Sequence, residues 1–215
     1  MIQILKATIE HAKILSELSV EAFLPAHGHS SPKKDIDNYI ARNFSVDNLQ
    51  KELANPIFEY YLIFHNQKAV GFSKIIFNSS NQNIKITNVT KMERLYLLKE
   101  CYGLNFGAQL MHFNIDLAKQ NQQQGIWLEV WVENIRAIKF YTKIGFKVVG
   151  SYDFKVSETH SNPNHVMYLS FTTKVMASLI RFIESMTNSS VDLSVGAWSI
   201  AALHNKQPRR PSRVP

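Results

Sequence analysis

The sequence predicts an α/β fold in which a mixed sheet is layered with helices, and three observations carry that expectation. Two strand–turn–helix units follow one another between residues 93 and 146. Strand-like apolar runs flank them on both sides, and strands separated by helices imply layering of the α/β kind. The chain has 215 residues with 45% hydrophobic content, enough to bury one full core with an appendage.

Taken in order, residues 2–7 read as a strand and residues 9–23 as a helix. A loop is expected between Pro25 and Pro32, then one or two short helices over 33–54. Apolar runs at 58–65 and 69–77 read as strands, with the polar stretch 78–83 as a turn. No internal repeat is evident.

The first unit begins with ERLYLL at 93–98, a strand, and continues through the glycine-containing turn KECYGLNFG. An amphipathic helix follows over 109–119, with Leu110, Met111, Phe113, Ile115 and Leu117 at its apolar positions. A strand, a loop and a helix N-terminus together make an anion site, because the helix dipole and unpaired amides favour a pyrophosphate. Glycines placed this way also precede many helices for packing reasons alone.

The second unit, WLEVWVENIRAIKFYTKIGF at 127–146, is the most informative stretch of the chain. Its start is rich in β-branched and aromatic residues, the composition of a buried strand. Asn134 stands where a helix N-cap is expected, and Ile135, Ile138, Tyr141 and Ile144 recur at helical spacing. Gly145 ends that helix as a C-terminal glycine. Asn134 and Tyr141 lie two turns apart on one face, so one ligand along that face can touch both. Strands over 146–156 and 165–171 complete the order.

Together the two units resemble the GNAT family of N-acetyltransferases. The segments 27–56 (HGHSSPKKDIDNYIARNFSVDNLQKELANP) and 154–169 (FKVSETHSNPNHVMYL) look like its PaiA-type branch, bacterial polyamine acetyltransferase-like proteins also linked to regulation. The resemblance covers about residues 1–171. It implies a mostly antiparallel sheet containing one splayed parallel strand pair, with acetyl-CoA as cosubstrate held between those strands. Pantetheine would pair with the backbone of Leu95, Tyr96 and Leu97. Pyrophosphate would lie on the main-chain amides of Tyr102, Gly103, Leu104, Asn105, Phe106, Gly107 and Ala108. Asn134 would hydrogen-bond the pantetheine, Tyr141 would protonate the departing CoA thiolate, and the loop after Pro25 with the helices behind it would form a lid over the acceptor.

The loop departs from the family pattern twice. Tyr102 stands where Gln or Arg is usual, which removes a phosphate contact. Asn105 stands where glycine is usual, but Asn is the non-glycine residue that best tolerates a left-handed backbone, so the turn is expected to survive.

Acetyl transfer to an amine needs a neutral nitrogen, whereas an alkylamine titrates near ~10.4. A carboxylate near the acyl carbon, acting directly or through water, meets that need. Glu93 is the candidate base, just before Leu95 on the same strand and pointing to the same face. An ion pair with Arg94 or Lys91, or a solvated strand end, is the alternative reading of Glu93. Tyr141 can be read instead as a buried tyrosine with a satisfied hydroxyl, and the cap role of Asn134 is compatible with ligand binding.

No metal site is expected: the pairs His27/His29 and His160/His165 have no third ligand at a set spacing. Cys101 is the only cysteine, so no internal disulfide forms and a reducing compartment is the natural reading. No signal peptide is visible at the start, and no run approaches ~18 apolar residues, so a cytoplasmic protein with no membrane partner is expected.

Residues 172–215 read as an appendage, with an amphipathic helix over 175–186 and a basic, proline-rich, disordered end over 205–215. This tail holds Lys174, Arg181, Lys206, Arg209, Arg210 and Arg213 against Glu184 and Asp192, so it contributes +4 of the net +7. The rest carries only +3, unremarkable for a protein that attracts polyanionic CoA, and makes no case for nucleic acid. The sequence reading is therefore an N-acetyltransferase acting on a primary amine of a small molecule, a polyamine by resemblance, through direct transfer in a ternary complex. The alternative is a CoA-binding regulatory module with little turnover. A homodimer is compatible with either.

Overall fold

The computed structural model describes residues 1–171; the tail helix and the basic end read from the sequence lie outside the described residues. β1 (Ile2–Lys6) leads into a 3₁₀ turn and then α1 (Ala12–His27), α2 (Lys33–Phe44) and α3 (Val46–Ala54). β2 (Glu59–His65), β3 (Lys68–Ile76) and β4 (Thr90–Leu97) follow, then α4 (Phe106–Gln120), β5 (Gly125–Trp131), α5 (Ile135–Ile144), β6 (Lys147–Lys155) and β7 (Ser161–Ser170). The seven strands form one sheet in the order β1-β2-β3-β4-β5-β7-β6.

All neighbours in that sheet are antiparallel except β4 and β5. The β2–β3 hairpin turns on Asn66 and Gln67, both at positive φ, which matches the right-handed twist of the strands it joins. The β4–β5 connection must cross the sheet, and α4 makes that crossing. The mostly antiparallel sheet with one parallel pair is the architecture the sequence resemblance implies.

Two expectations shift. The loop expected from Pro25 is helical as far as His27, because Pro25 falls in the last turn of α1. There its missing N–H deserts only the carbonyl of exposed Glu21, and the helix still closes with Gly28 donating to the Leu24 carbonyl at 2.9 Å. The last strand starts at Ser161, earlier than the expected residue 165. Pro163 pairs with Asp153 of β6 and its carbonyl accepts from Val132, just past the end of β5, so no ladder donor is missed.

The two faces of the sheet are chemically distinct. Ser73 of β3 meets Asn114 of α4 on one face, with Asn114 Nδ2 donating to Ser73 Oγ at 2.9 Å. Its neighbour Lys74 points to the opposite face, where α3 supplies Glu52 at 2.8 Å. Fully buried Leu15 and Leu49 from the first helices, Leu62 and Phe72 from the sheet, and Leu110 and Met111 from α4 fill the core on either side.

Candidate active site

β4 and β5 are paired only at Thr90↔Ile126 and Lys91↔Trp127. Beyond those positions they splay, leaving the edge of β4 along Leu95–Leu97 without a ladder partner on that side. The gap opens into a cleft of about 1090 Å³. Tyr141, Asn134, Glu93, Leu95, Tyr96 and Leu97 all line it, as do Tyr102, Gly103, Asn105, Gly107 and Ala108 of the loop. Leu104 is exposed on the loop and Phe106 is buried in the core, and neither side chain lines the cleft.

The loop keeps the shape an anion site requires. Gly103 sits at φ +82° and Asn105 at φ +66°, ψ 6°, where it caps α4. The left-handed turn therefore survives without the usual glycine. The first amides of α4 have no carbonyl one turn earlier to bond, and Gln109 makes the first backward hydrogen bond, to Asn105. The other half of the loop's departure is offset in space: the Arg136 guanidinium of α5 stacks on the Tyr102 ring, 3.4 Å from its centroid. Arg136 also lines the cleft. A cation in the first turn of a helix opposes the dipole, and that anomaly was a readable signal for a second role.

Asn134 caps α5 as expected, its Oδ1 accepting from Ala137 N at 3.2 Å. The Nδ2 donors stay available, so cap and ligand contact coexist. Gly145 at φ +112° ends the helix and places Tyr141 two turns below Asn134. The Tyr141 ring is packed by Phe140 and Phe146 at 5.2 and 5.6 Å. Its hydroxyl has no protein partner among the described residues and is not sealed from the cleft. Burial pushes its pKa up to about 12, so the phenol keeps its proton at any working pH.

Glu93 lies differently from the strict alternation expected. Lys74 of β3 pairs with Arg94 while the next residue, Ile75, pairs with Met92. Glu93 is thus the extra residue of a β-bulge, a feature that re-aims side chains beside active sites. Leu95 faces the α4 side with its partner Ser73, whereas Glu93 turns to the α3 side. There Glu93 Oε1 meets Lys74 Nζ at 2.6 Å and Arg94 Nη2 at 3.9 Å. The ion pair read as the alternative is present, with Lys74 rather than Lys91 as its main partner.

Behind Glu93 lies a buried charge cluster that sequence reasoning missed. Glu52 accepts from Lys74 at 2.8 Å, from Arg94 at 3.5 Å and from the Tyr60 hydroxyl. Arg94 Nη1 also donates to Tyr60 Oη at 2.9 Å. Burial raises the pKa of Tyr60 and tends to raise that of Glu52. Arg94 and the hydrogen bonds from Lys74 and Tyr60 overcome this and hold Glu52 below the usual carboxylate range. No sequence signal announces the cluster, since its members are contributed by α3, β2, β3 and β4.

Of the other carboxylates, Glu129 lines the cleft and pairs with Lys91 at 3.3 Å. Asp153 and Glu158 are exposed and outside it. His27 lines the cleft among Phe23, Tyr96 and Trp131, and burial with the neighbouring His29 lowers its pKa to about 4. Among the described residues no group of His, Cys, Asp or Glu could hold a metal. Likewise, no described helix is long and apolar enough to cross a membrane.

Comparison with known proteins agrees with this geometry. The model of the acetyltransferase (GNAT) family matches residues 15–146. Uncharacterized N-acetyltransferases of Mycobacterium tuberculosis and Mycobacterium bovis are 28% identical over 127 residues, spanning 59% of this chain and 77% of theirs. The fold is similar to that of the PaiA N-acetyltransferase from Thermoplasma acidophilum in complex with coenzyme A, at TM-score 0.64 and 22% identity over 80% of this chain and 99% of that one. It is similar too to a GNAT-family acetyltransferase from Staphylococcus aureus, at TM-score 0.59 and 19% identity over 80% and 100% of the chains.

Proposed function

We propose that this chain, which belongs to the GNAT acetyltransferase family and is an acetyl-CoA-dependent N-acetyltransferase, passes the acetyl group directly to a primary amine of a small molecule in a ternary complex. The observation that carries the reading is the splay of β4 from β5 after Lys91↔Trp127, which opens a cleft walled by the β4 edge, the left-handed turn before α4 and a tyrosine hydroxyl with no partner among the described residues. Residues 1–171 form the catalytic domain in this reading and 172–215 an appendage. The lone Cys101, a free thiol, supports a reducing, cytoplasmic setting.

In the bound state the amides at the start of α4 and the Arg136 guanidinium hold the pyrophosphate. The edge of β4 at Leu95–Leu97 pairs with pantetheine as an added strand, and Asn134 Nδ2 donates to the same arm. Acetyl-CoA supplies an activated acyl carbon. The amine nitrogen attacks it, the C–N bond forms, and the C–S bond breaks. Glu93 accepts the ammonium proton, through water where its ion pair with Lys74 holds it back. Tyr141 donates to the departing sulfur; a thiolate is a weaker base than this buried phenolate, so the hydrogen bond in the transition state matters more than early proton transfer.

The PaiA-type resemblance of residues 27–56 and 154–169 is the one ground for a polyamine acceptor, and it comes from the sequence rather than from the charges of the cleft. The binding-module alternative rested on the altered loop, which keeps its turn at Asn105 and gains a guanidinium from Arg136, so no observation favours it. Free-thiol release from acetyl-CoA, measured for the wild type and Tyr141→Phe across polyamines, amino acids, aminoglycosides and short peptides, tests the proposal. Amine-dependent release that drops about 10²-fold or more in the variant is expected. Equal rates for the two proteins would remove Tyr141 from the mechanism, and no release with any amine would defeat the acetyl-transfer reading.

A further inference from the structure

Resting on the acetyl-transfer reading, we infer that the acceptor is an amine carrying an apolar or aromatic body and an anionic group close to the nitrogen, an aromatic α-amino acid being the simplest member, rather than a linear polycation. The inference comes from what lines the half of the cleft away from the α4 loop. Phe23 stacks on His27 and Tyr39 at 5.0 and 5.3 Å, and Tyr39 meets Phe154 edge-on at 6.0 Å. Tyr96 and Trp131 close the ring through His27 at 6.2 and 6.3 Å. All six side chains line the cleft. Such walls favour a flat or branched apolar group, which gains by leaving water.

The charges around these walls are unbalanced in one direction. A polycation needs carboxylates free of other partners, yet both carboxylates that line the cleft are taken, Glu93 by Lys74 and Arg94 and Glu129 by Lys91. Four cations that line it, Arg42, Arg136, Lys143 and Lys155, have no ion pair among the described residues. Arg136 and Lys143 belong to α5, and Lys155 is next to Phe154 on β6, where consecutive side chains point to opposite faces. Arg42, by contrast, lies one turn beyond Tyr39 on α2 and so borders the aromatic compartment. An acceptor carboxylate there would gain a charge-assisted hydrogen bond to Arg42. A second ammonium in the same place would meet like charge instead.

The test compares kcat/KM for L-phenylalanine and L-tryptophan with phenethylamine, which lacks the carboxylate, with L-alanine, which lacks the body, and with spermidine. Acetyl-CoA binding is followed in parallel by calorimetry. The aromatic amino acids are expected to exceed phenethylamine and L-alanine by about tenfold or more, the scale of one charge-assisted hydrogen bond or one buried ring. In Arg42→Ala the advantage of L-phenylalanine over phenethylamine should collapse through KM, and Arg42→Lys should restore part of it. Preference for spermidine or phenethylamine, or an equal effect of Arg42→Ala on every amine, would overturn the inference. Turnover of other amines while aromatic amino acids fail overturns it alone; absence of acetyl-CoA binding defeats the acetyl-transfer reading with it.

Discussion

Replacing Glu52 by Leu isolates the charge cluster beneath the bulged strand. The carboxylate serves Lys74, Arg94 and the Tyr60 hydroxyl at once, and Lys74 and Arg94 are only 2% and 7% exposed. Without Glu52, both cations share the single carboxylate of Glu93, which is 3.9 Å from Arg94. Removing one partner from a buried pair leaves uncompensated charge and costs about 3–5 kcal/mol. The ring of Phe58, 4.0 Å from Lys74 Nζ, offsets only part of that loss. With a urea slope of about 2 kcal/mol/M the midpoint should fall by roughly 1.5–2.5 M. The difference depends on pH with a fixed sign. Glu52 has a folded pKa held below its unfolded one, so its contribution is present above the unfolded carboxylate value near ~4.3 and is lost as pH falls through the lower folded value. Urea melts of wild type and variant at pH 7 and pH 3.5 read both effects: the gap should be wide at pH 7 and narrower at pH 3.5. A gap below about 1 kcal/mol at pH 7, the scale of exposed ion pairs, would show that the cluster is solvated and contributes little.

Arg136→Ala should raise the KM for acetyl-CoA about tenfold with kcat nearly unchanged, because in the proposed complex the guanidinium would meet a part of the cosubstrate remote from the reacting carbon; steady-state kinetics at low and high salt measures this, and a fall in kcat at unchanged KM would contradict it. Asn105→Ala places a Cβ residue with no local hydrogen-bonding side chain at φ +66° and should cost about 1 kcal/mol of stability while weakening acetyl-CoA binding. Calorimetry and thermal melts read both, and unchanged melting would show that the turn relaxes. His27, whose folded pKa of about 4 lies below the usual 6.5, makes the fold less stable as pH drops from 6.5 toward 4, because the unfolded chain binds the proton first. The loss is about 2 kcal/mol once the partly solvent-reachable ring is allowed for, and His27→Phe should flatten that part of the stability–pH curve.

The second strand–turn–helix unit was legible because each of its signals is local. Asn134 as cap, the helical spacing to Tyr141 and Gly145 as terminator are decided by backbone chemistry within a few residues, and the structure repeats them. The tolerance of Asn for a left-handed turn likewise anticipated Asn105. Pro25 misled the end of the first helix, since whether a missing N–H matters depends on what it would have faced. Glu93 misled in its direction, because a bulge is a property of two strands in register rather than of one.

Local pattern by itself determined the α/β class, the two units and the residues Asn134 and Tyr141 along one helix face, because helix periodicity and capping are short-range. The tertiary structure alone decided that β4 parts from β5 after two paired positions, that Arg136 reaches the loop of another unit, and that Glu52, Tyr60, Lys74 and Arg94 converge. Apart from Glu52 and Tyr60, which are 8 residues apart, those outcomes depend on charges and strands brought together across 22 to 42 residues of chain, a distance at which no spacing rule operates. The balance of paired and unpaired charge in the cleft, which bears on the acceptor, belongs to that second kind.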